Sequence, residues 1–98
     1  MSLPVILTAE AEEDVEQVRD QLEQARPGSG ATFMASLRVV LERLESMPAM
    51  YPLVWKQVRA ARLRRSPYLV YHRVLSDRVE VVAVIHGSRD WSAWQSRV

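Results

Sequence analysis

The chain opens on a short apolar run, Leu3 to Leu7, rich in residues that favour strands, and then changes period. Ala11, Val15, Val18, Leu22 and Ala25 return at helical spacing and make one apolar stripe. Thr8 stands where an N-cap is needed. Glu10, Glu12, Glu13 and Asp14 follow in the first turns, where acids favour the positive end of the helix dipole. Pro27-Gly28-Ser29-Gly30 ends this helix and turns the chain. A second helix then shows Phe33, Leu37, Val40, Leu41, Leu44 and Met47 on one face, with Arg38, Glu42, Arg43 and Glu45 mostly on the other, until Pro48 stops it. Two helices joined by a short turn predict a helical hairpin.

Beyond Pro48 the pattern shifts to strands. Met50 to Trp55 reads as a connection with two prolines, Pro48 and Pro52, in or near it. Val58 to Arg65, Tyr68 to Leu75 and Arg78 to His86 read as three strands, with turns at Ser66-Pro67 and Ser76-Asp77 that make neighbours antiparallel. After Glu80 the last strand is apolar on both faces, so it is expected inside the sheet with helices on at least one side. Asp90 to Arg97 is expected as a short helix or an extended tail. Two helices followed by a strand meander predict an α+β fold. At 98 residues, positions 1–98 form one domain.

Charge adds an asymmetry that the net value of +1 conceals. Residues 1–48 hold 9 acids and 4 bases, a balance of −5, and residues 49–98 hold 3 acids and 9 bases, a balance of +6. A positive half on a small domain attracts nucleic acid or an acidic protein segment. The absence of cysteine removes disulfides, thiolate metal sites and cysteine nucleophiles, and fits a reducing cytoplasm. The first residues lack the basic start and long apolar core of a signal peptide, and no stretch approaches a membrane span, so a cytoplasmic location without membrane contact is expected.

The positive charge concentrates in WKQVRAARLRR. Lys56, Arg59, Arg62, Arg64 and Arg65 fall within ten residues that contain no acid. On a strand, Ala61 and Leu63 face the core while Arg62 and Arg64 face solvent, and guanidinium forks suit phosphates and carboxylates alike. These positions are read as a partner-binding surface; the plainer alternative is an edge strand guarded by charge. His72 and His86 lack metal-ligand spacing, so neither a metal nor a cofactor is expected. His86, placed on one face with Val82 and Val84, is either a general acid or base or an imidazole bonded to nearby backbone. Trp91 and Trp94 in the tail are either docked in the core or exposed as partner anchors.

The order of these segments resembles the RelE/ParE toxin superfamily, and its ParE-like branch more closely. The resemblance runs from about Val5 to Trp94. It is carried by Ala11-Glu12-Glu13-Asp14-Val15, by Val58-Arg59 with the arginine strand, by Pro67-Tyr68-Leu69-Val70-Tyr71-His72-Arg73, and by Val84-Ile85-His86-Gly87-Ser88-Arg89-Asp90. It implies a hairpin and N-terminal strand packed on a twisted, mainly antiparallel sheet of about four strands. It implies a type II toxin, of the kind associated with plasmid stabilization, neutralised by a cognate antitoxin in a hetero-oligomer. It further implies one of two targets: DNA gyrase, inhibited by binding, or mRNA on the ribosome, cut without a metal. Cleavage would call on His86 as the acid–base group with Arg62, Arg64 or Arg89 on the phosphate. No tyrosine follows Tyr71, and Lys56 is the only lysine, so the acid–base set is thin and gyrase inhibition is the expected activity. A third possibility is a module that binds antitoxin and has lost toxicity. In each case the antitoxin is expected on Lys56, Arg59, Arg62, Arg64, Arg65, Trp91 and Trp94.

Overall fold

In the computed structural model, which describes residues 2–98, β1 (Val5–Leu7) leads into α1 (Ala9–Ala25). Thr8 makes the junction: its Oγ1 accepts a hydrogen bond from the Ala11 N–H at 3.1 Å, satisfying one of the donors a helix start leaves open. Gly28, at φ +92°, takes the left-handed conformation that ends the turn, and α2 (Ser29–Ser46) runs back beside α1. The Glu23 carboxylate closes the hairpin by accepting from the Gly28 and Gly30 N–H groups at 3.0–3.1 Å. A Cβ at Gly30 would come within 2.9 Å of the Arg19 carbonyl oxygen, so glycine sets how closely the helices approach.

The strands that follow are β2 (Leu53–Trp55), β3 (Val58–Arg62), β4 (Tyr68–Val74) and β5 (Val79–His86), and α3 (Ser92–Gln95) lies near the end. The sheet has five strands in the order β1-β5-β4-β3-β2, one more than expected. β1 pairs with β5 in parallel, and the other pairs are antiparallel. The added strand is β2, which lies in the segment read as a connection. It is three residues long, follows Pro52 and leaves Leu53 56% exposed, so it carries no alternation to read. β5 is interior as expected, between β1 and β4.

Each face of the sheet has its own core. α1 and α2 cover Ala61, Leu63, Val70, Val79, Val81 and Val84 with Ala11, Val15, Phe33, Leu37 and Leu44. The opposite face gathers Val58, Tyr71, Val82, Ala83 and Ile85 under Trp94 of the C-terminal segment. Val82 and Val84 therefore belong to different cores, although they stand two apart on one strand. The β4–β5 register slips where Tyr71 faces Ala83 and His72 faces Val81, which leaves Val82 as the extra residue of a bulge. The bulge corrects the expected face of His86, which lies on Val84's side and not on Val82's. No helix is long and apolar enough to cross a membrane among the described residues.

The bulge also explains how the C-terminal segment is held. β1 reaches only as far as Val81, so the next backbone groups on that edge of β5 have no strand beside them. The Asp14 carboxylate accepts from the Val84 N–H at 3.1 Å, and the Arg97 guanidinium donates to the Val82 carbonyl at 3.0 Å. The two side chains close on each other at 2.7 and 3.2 Å, a fork-to-carboxylate pair spanning 83 positions of sequence. Asp14, read from sequence as one more acid of the first turns, is thus a buried latch.

Candidate functional site

Arginines of the basic stretch and arginines of the helices meet along one groove. It runs between α2 and the outer edge of β3 and has two connected parts, of about 540 and 390 Å³, which share Ser36 and Arg64. Arg26, Arg64 and Arg65 line the part at the hairpin turn; Arg43, Arg62 and Arg64 line the other. The floor is apolar, with Leu22, Phe33, Leu63, Val39 and Val40, and no acid lines either part. None of these five arginines forms an ion pair among the described residues. Arg26 caps the end of α1 and Arg43 lies in the last turn of α2, both outside the basic stretch, and only the packing of the hairpin on the sheet brings them to it.

Backbone geometry adds to the groove's character. β2 covers β3 no further than Ala60, whose N–H bonds the Pro52 carbonyl at 3.2 Å. The Leu63 N–H turns inward to the Tyr68 carbonyl at 3.1 Å, so by alternation the peptide groups of Arg62 face outward on an open edge. Arg65 has φ +55°, a left-handed conformation that disfavours any side chain and costs about 1 kcal/mol or more. An open edge beside unpaired guanidinium groups and an apolar floor suits an extended acidic chain.

Other positions of the predicted set fall elsewhere. Arg59 does not reach for a partner: its guanidinium donates to the Tyr51 carbonyl at 2.7 Å and to the Ala49 carbonyl at 3.2 Å, pinning the loop before β2. Trp94 is fully buried, with its ring stacked 4.5 Å from Tyr71, and so serves the core and not a surface. Trp91 stays 45% exposed. Lys56 lies over the Trp55 ring at 4.4 Å in the turn between β2 and β3.

His86 shares one turn with Arg89, whose backbone N–H bonds the His86 carbonyl at 3.0 Å, while Arg62 and Arg64 lie in the groove. His86 Nδ1 accepts from the Ser88 N–H at 3.0 Å and stands 2.7 Å from the Ser88 Oγ. A backbone N–H can only donate, so Nδ1 is the acceptor of that contact and the imidazole is engaged within its own turn. Tyr68, between Phe33 and His86 at ring separations of 5.7 and 5.4 Å, lies between the imidazole and the groove, and neither part of the groove includes His86 or Arg89. No three metal-binding side chains come together among the described residues.

His72 is a fully buried histidine. Its ring is fully enclosed, Nδ1 lies 3.1 Å from the Val70 carbonyl, and Nε2 has no partner. Burial pushes it below the ordinary histidine range; the Val70 carbonyl opposes this and the Arg59 charge adds to it. The folded protein therefore resists a proton that the unfolded chain accepts below about pH 6.5. Stability should be flat in this term above that pH and fall as the pH drops from there through the lowered folded value. Urea melts at pH 7.5 and pH 5.5 measure the loss, and His72→Gln should remove this part of it.

The model for the ParE toxin of type II toxin–antitoxin systems matches residues 5–91. Among solved structures, the chain is similar to a chain of the chromosomal ParDE system from P. aeruginosa, with 17% identity, a TM-score of 0.76 and coverage of 87% of this chain and 96% of that one. It is also similar to a chain of the E. coli DinJ–YafQ toxin–antitoxin complex, with 13% identity, a TM-score of 0.59 and coverage of 90% and 96%. At these identities the structural likeness is one of fold. No curated protein matches the chain in sequence. The family model spans nearly the whole chain, and the chain belongs to the ParE toxin family of type II toxin–antitoxin systems.

Proposed function

We propose that this toxin acts by inhibiting DNA gyrase through binding, and that a cognate antitoxin neutralises it by occupying the arginine groove. The carrying observation is the contrast between the two candidate sites. The groove offers unpaired positive charge, an apolar floor and an open strand edge, which are features for holding a chain. The one late histidine is tied to its own loop and stands outside the lining of the groove. Binding is thus supported better than phosphodiester chemistry. Membership of the ParE family favours gyrase as the target and an antitoxin as the partner.

Purified protein added to gyrase and relaxed plasmid tests the target. The expected result is lost supercoiling with accumulation of cleaved DNA, reversed by the antitoxin. Unaltered supercoiling by protein that arrests growth would overturn the gyrase reading.

The antitoxin's seat is tested by charge reversal. Arg62→Glu with Arg64→Glu should weaken antitoxin binding about tenfold to a hundredfold, corresponding to roughly 1.4–2.8 kcal/mol. It should also flatten the dependence of affinity on salt. Calorimetric titration at two salt concentrations reads both; unchanged affinity and slope would put the antitoxin elsewhere.

A further inference from the structure

The sheet face away from the helical hairpin carries a second surface that the groove does not explain. All three tryptophans of the chain gather there. Trp94 is buried at the centre, with the Trp55 ring edge-on at 5.6 Å and the Trp91 ring at 6.0 Å. Lys56 caps the far end of the row over Trp55. A cavity of about 220 Å³, bounded by Trp55, Lys56, Val58, Arg73 and Val98, opens beside it.

Trp91 is the unexplained member. It is 45% exposed although Trp94, three positions on, is wholly enclosed. The segment that bears it is fixed by the Trp94 stack and by the Arg97 pair with Asp14, so the indole is presented without a large ordering cost on binding. A rigid exposed tryptophan is the side chain most often found at the energetic centre of protein interfaces. The charges near the row leave one positive group over. Arg73 is paired with Glu80, and the neighbouring Arg89 and Asp90 carry opposite charges, whereas Lys56 has no acidic partner among the described residues.

We propose that this aromatic face, with exposed Trp91 at one end and Lys56 at the other, is the surface that engages the protein the toxin inhibits. The occupant it fits is an apolar pocket with an acidic rim. The face lies across the sheet from the core under α1 and α2, so engaging the target and holding the antitoxin are separable activities of one small domain. The proposal deepens the toxin reading above and rests on it.

The test uses the full chain. Trp91→Ala and Lys56→Glu are each induced in cells, and the antitoxin affinity of each purified variant is measured. Trp91→Ala is expected to keep its near-ultraviolet circular dichroism apart from the lost indole, to bind antitoxin within about twofold of the parent, and to need at least tenfold more protein for growth arrest. Lys56→Glu is expected to shift arrest in the same direction by a smaller factor, and it decides the question if the alanine variant misfolds. Arrest at the parent's level in either folded variant would overturn the proposal. So would parallel loss of arrest and antitoxin binding. Salt-dependent binding of single-stranded DNA that is lost in Trp91→Ala would assign the face to nucleic acid and overturn the protein pocket. Because arrest is scored and not supercoiling, a parent protein that arrests growth without touching gyrase would contradict only the gyrase reading.

Discussion

Replacing Asp14 with alanine is expected to destabilise the protein by about 3 kcal/mol, a large share of the ~5–15 kcal/mol that holds a domain of this kind together. Two losses combine. The Val84 N–H, buried on the edge of β5 beyond the end of β1, is left without an acceptor, which costs roughly 1–3 kcal/mol. The Arg97 guanidinium also loses both carboxylate contacts and keeps only the Val82 carbonyl. Asp14→Asn should cost less, because its amide oxygen can still accept from Val84 while the charge is gone. Chemical denaturation separates the two variants; equal midpoints for alanine and parent would show that the latch contributes nothing.

Trp94→Ala is the second large effect, about 3–5 kcal/mol by the scale of buried aromatic deletions. The indole is fully enclosed, stacks on Tyr71 and meets Trp55, so its removal opens the core of the far face. Trp94→Phe should be milder, since a phenyl ring keeps most of the contact with Tyr71 and Trp55 and the indole N–H makes no well-formed hydrogen bond, only a polar contact with the Tyr71 side chain. Trp94 and the Asp14–Arg97 pair hold the same short segment. Once that segment has peeled away, a second substitution has little left to remove. The Asp14→Ala, Trp94→Ala double variant should therefore cost clearly less than the sum of the singles. Strict additivity would show that the latch and the indole stabilise different parts of the molecule.

These two anchors also mark where sequence reasoning reached and where it stopped. The helical hairpin was legible because its apolar stripes are long and its caps, Thr8 and the Pro27–Gly30 turn, stand where the stripes end. The inward Ala61 and Leu63 followed from simple alternation on β3. Alternation failed at Val82, because one extra residue in a strand inverts every face after it and leaves no mark in an all-apolar run. Asp14 was hidden among helix-start acids, and its partner lies 83 positions away, where no local pattern connects them. The groove was half legible. Arg62, Arg64 and Arg65 announced it, whereas Arg26 and Arg43 joined it only through packing, and Arg59 left it for backbone carbonyls. Trp91 and Trp94 looked alike in sequence and took opposite roles, because the short turn of α3 buries one and not the other.

The same comparison bears on function. His86 read from sequence as the one late acid–base candidate. Its contact with Ser88 and its place outside the groove lining support the binding reading that the sequence already favoured. That reading is the centre of the account, and induction of this chain alone in cells tests it most directly. DNA-damage signalling and transcript integrity are read together after induction. The account predicts growth arrest with a DNA-damage response and intact mRNA; arrest with cut mRNA and no DNA damage, or harmless expression, would contradict it.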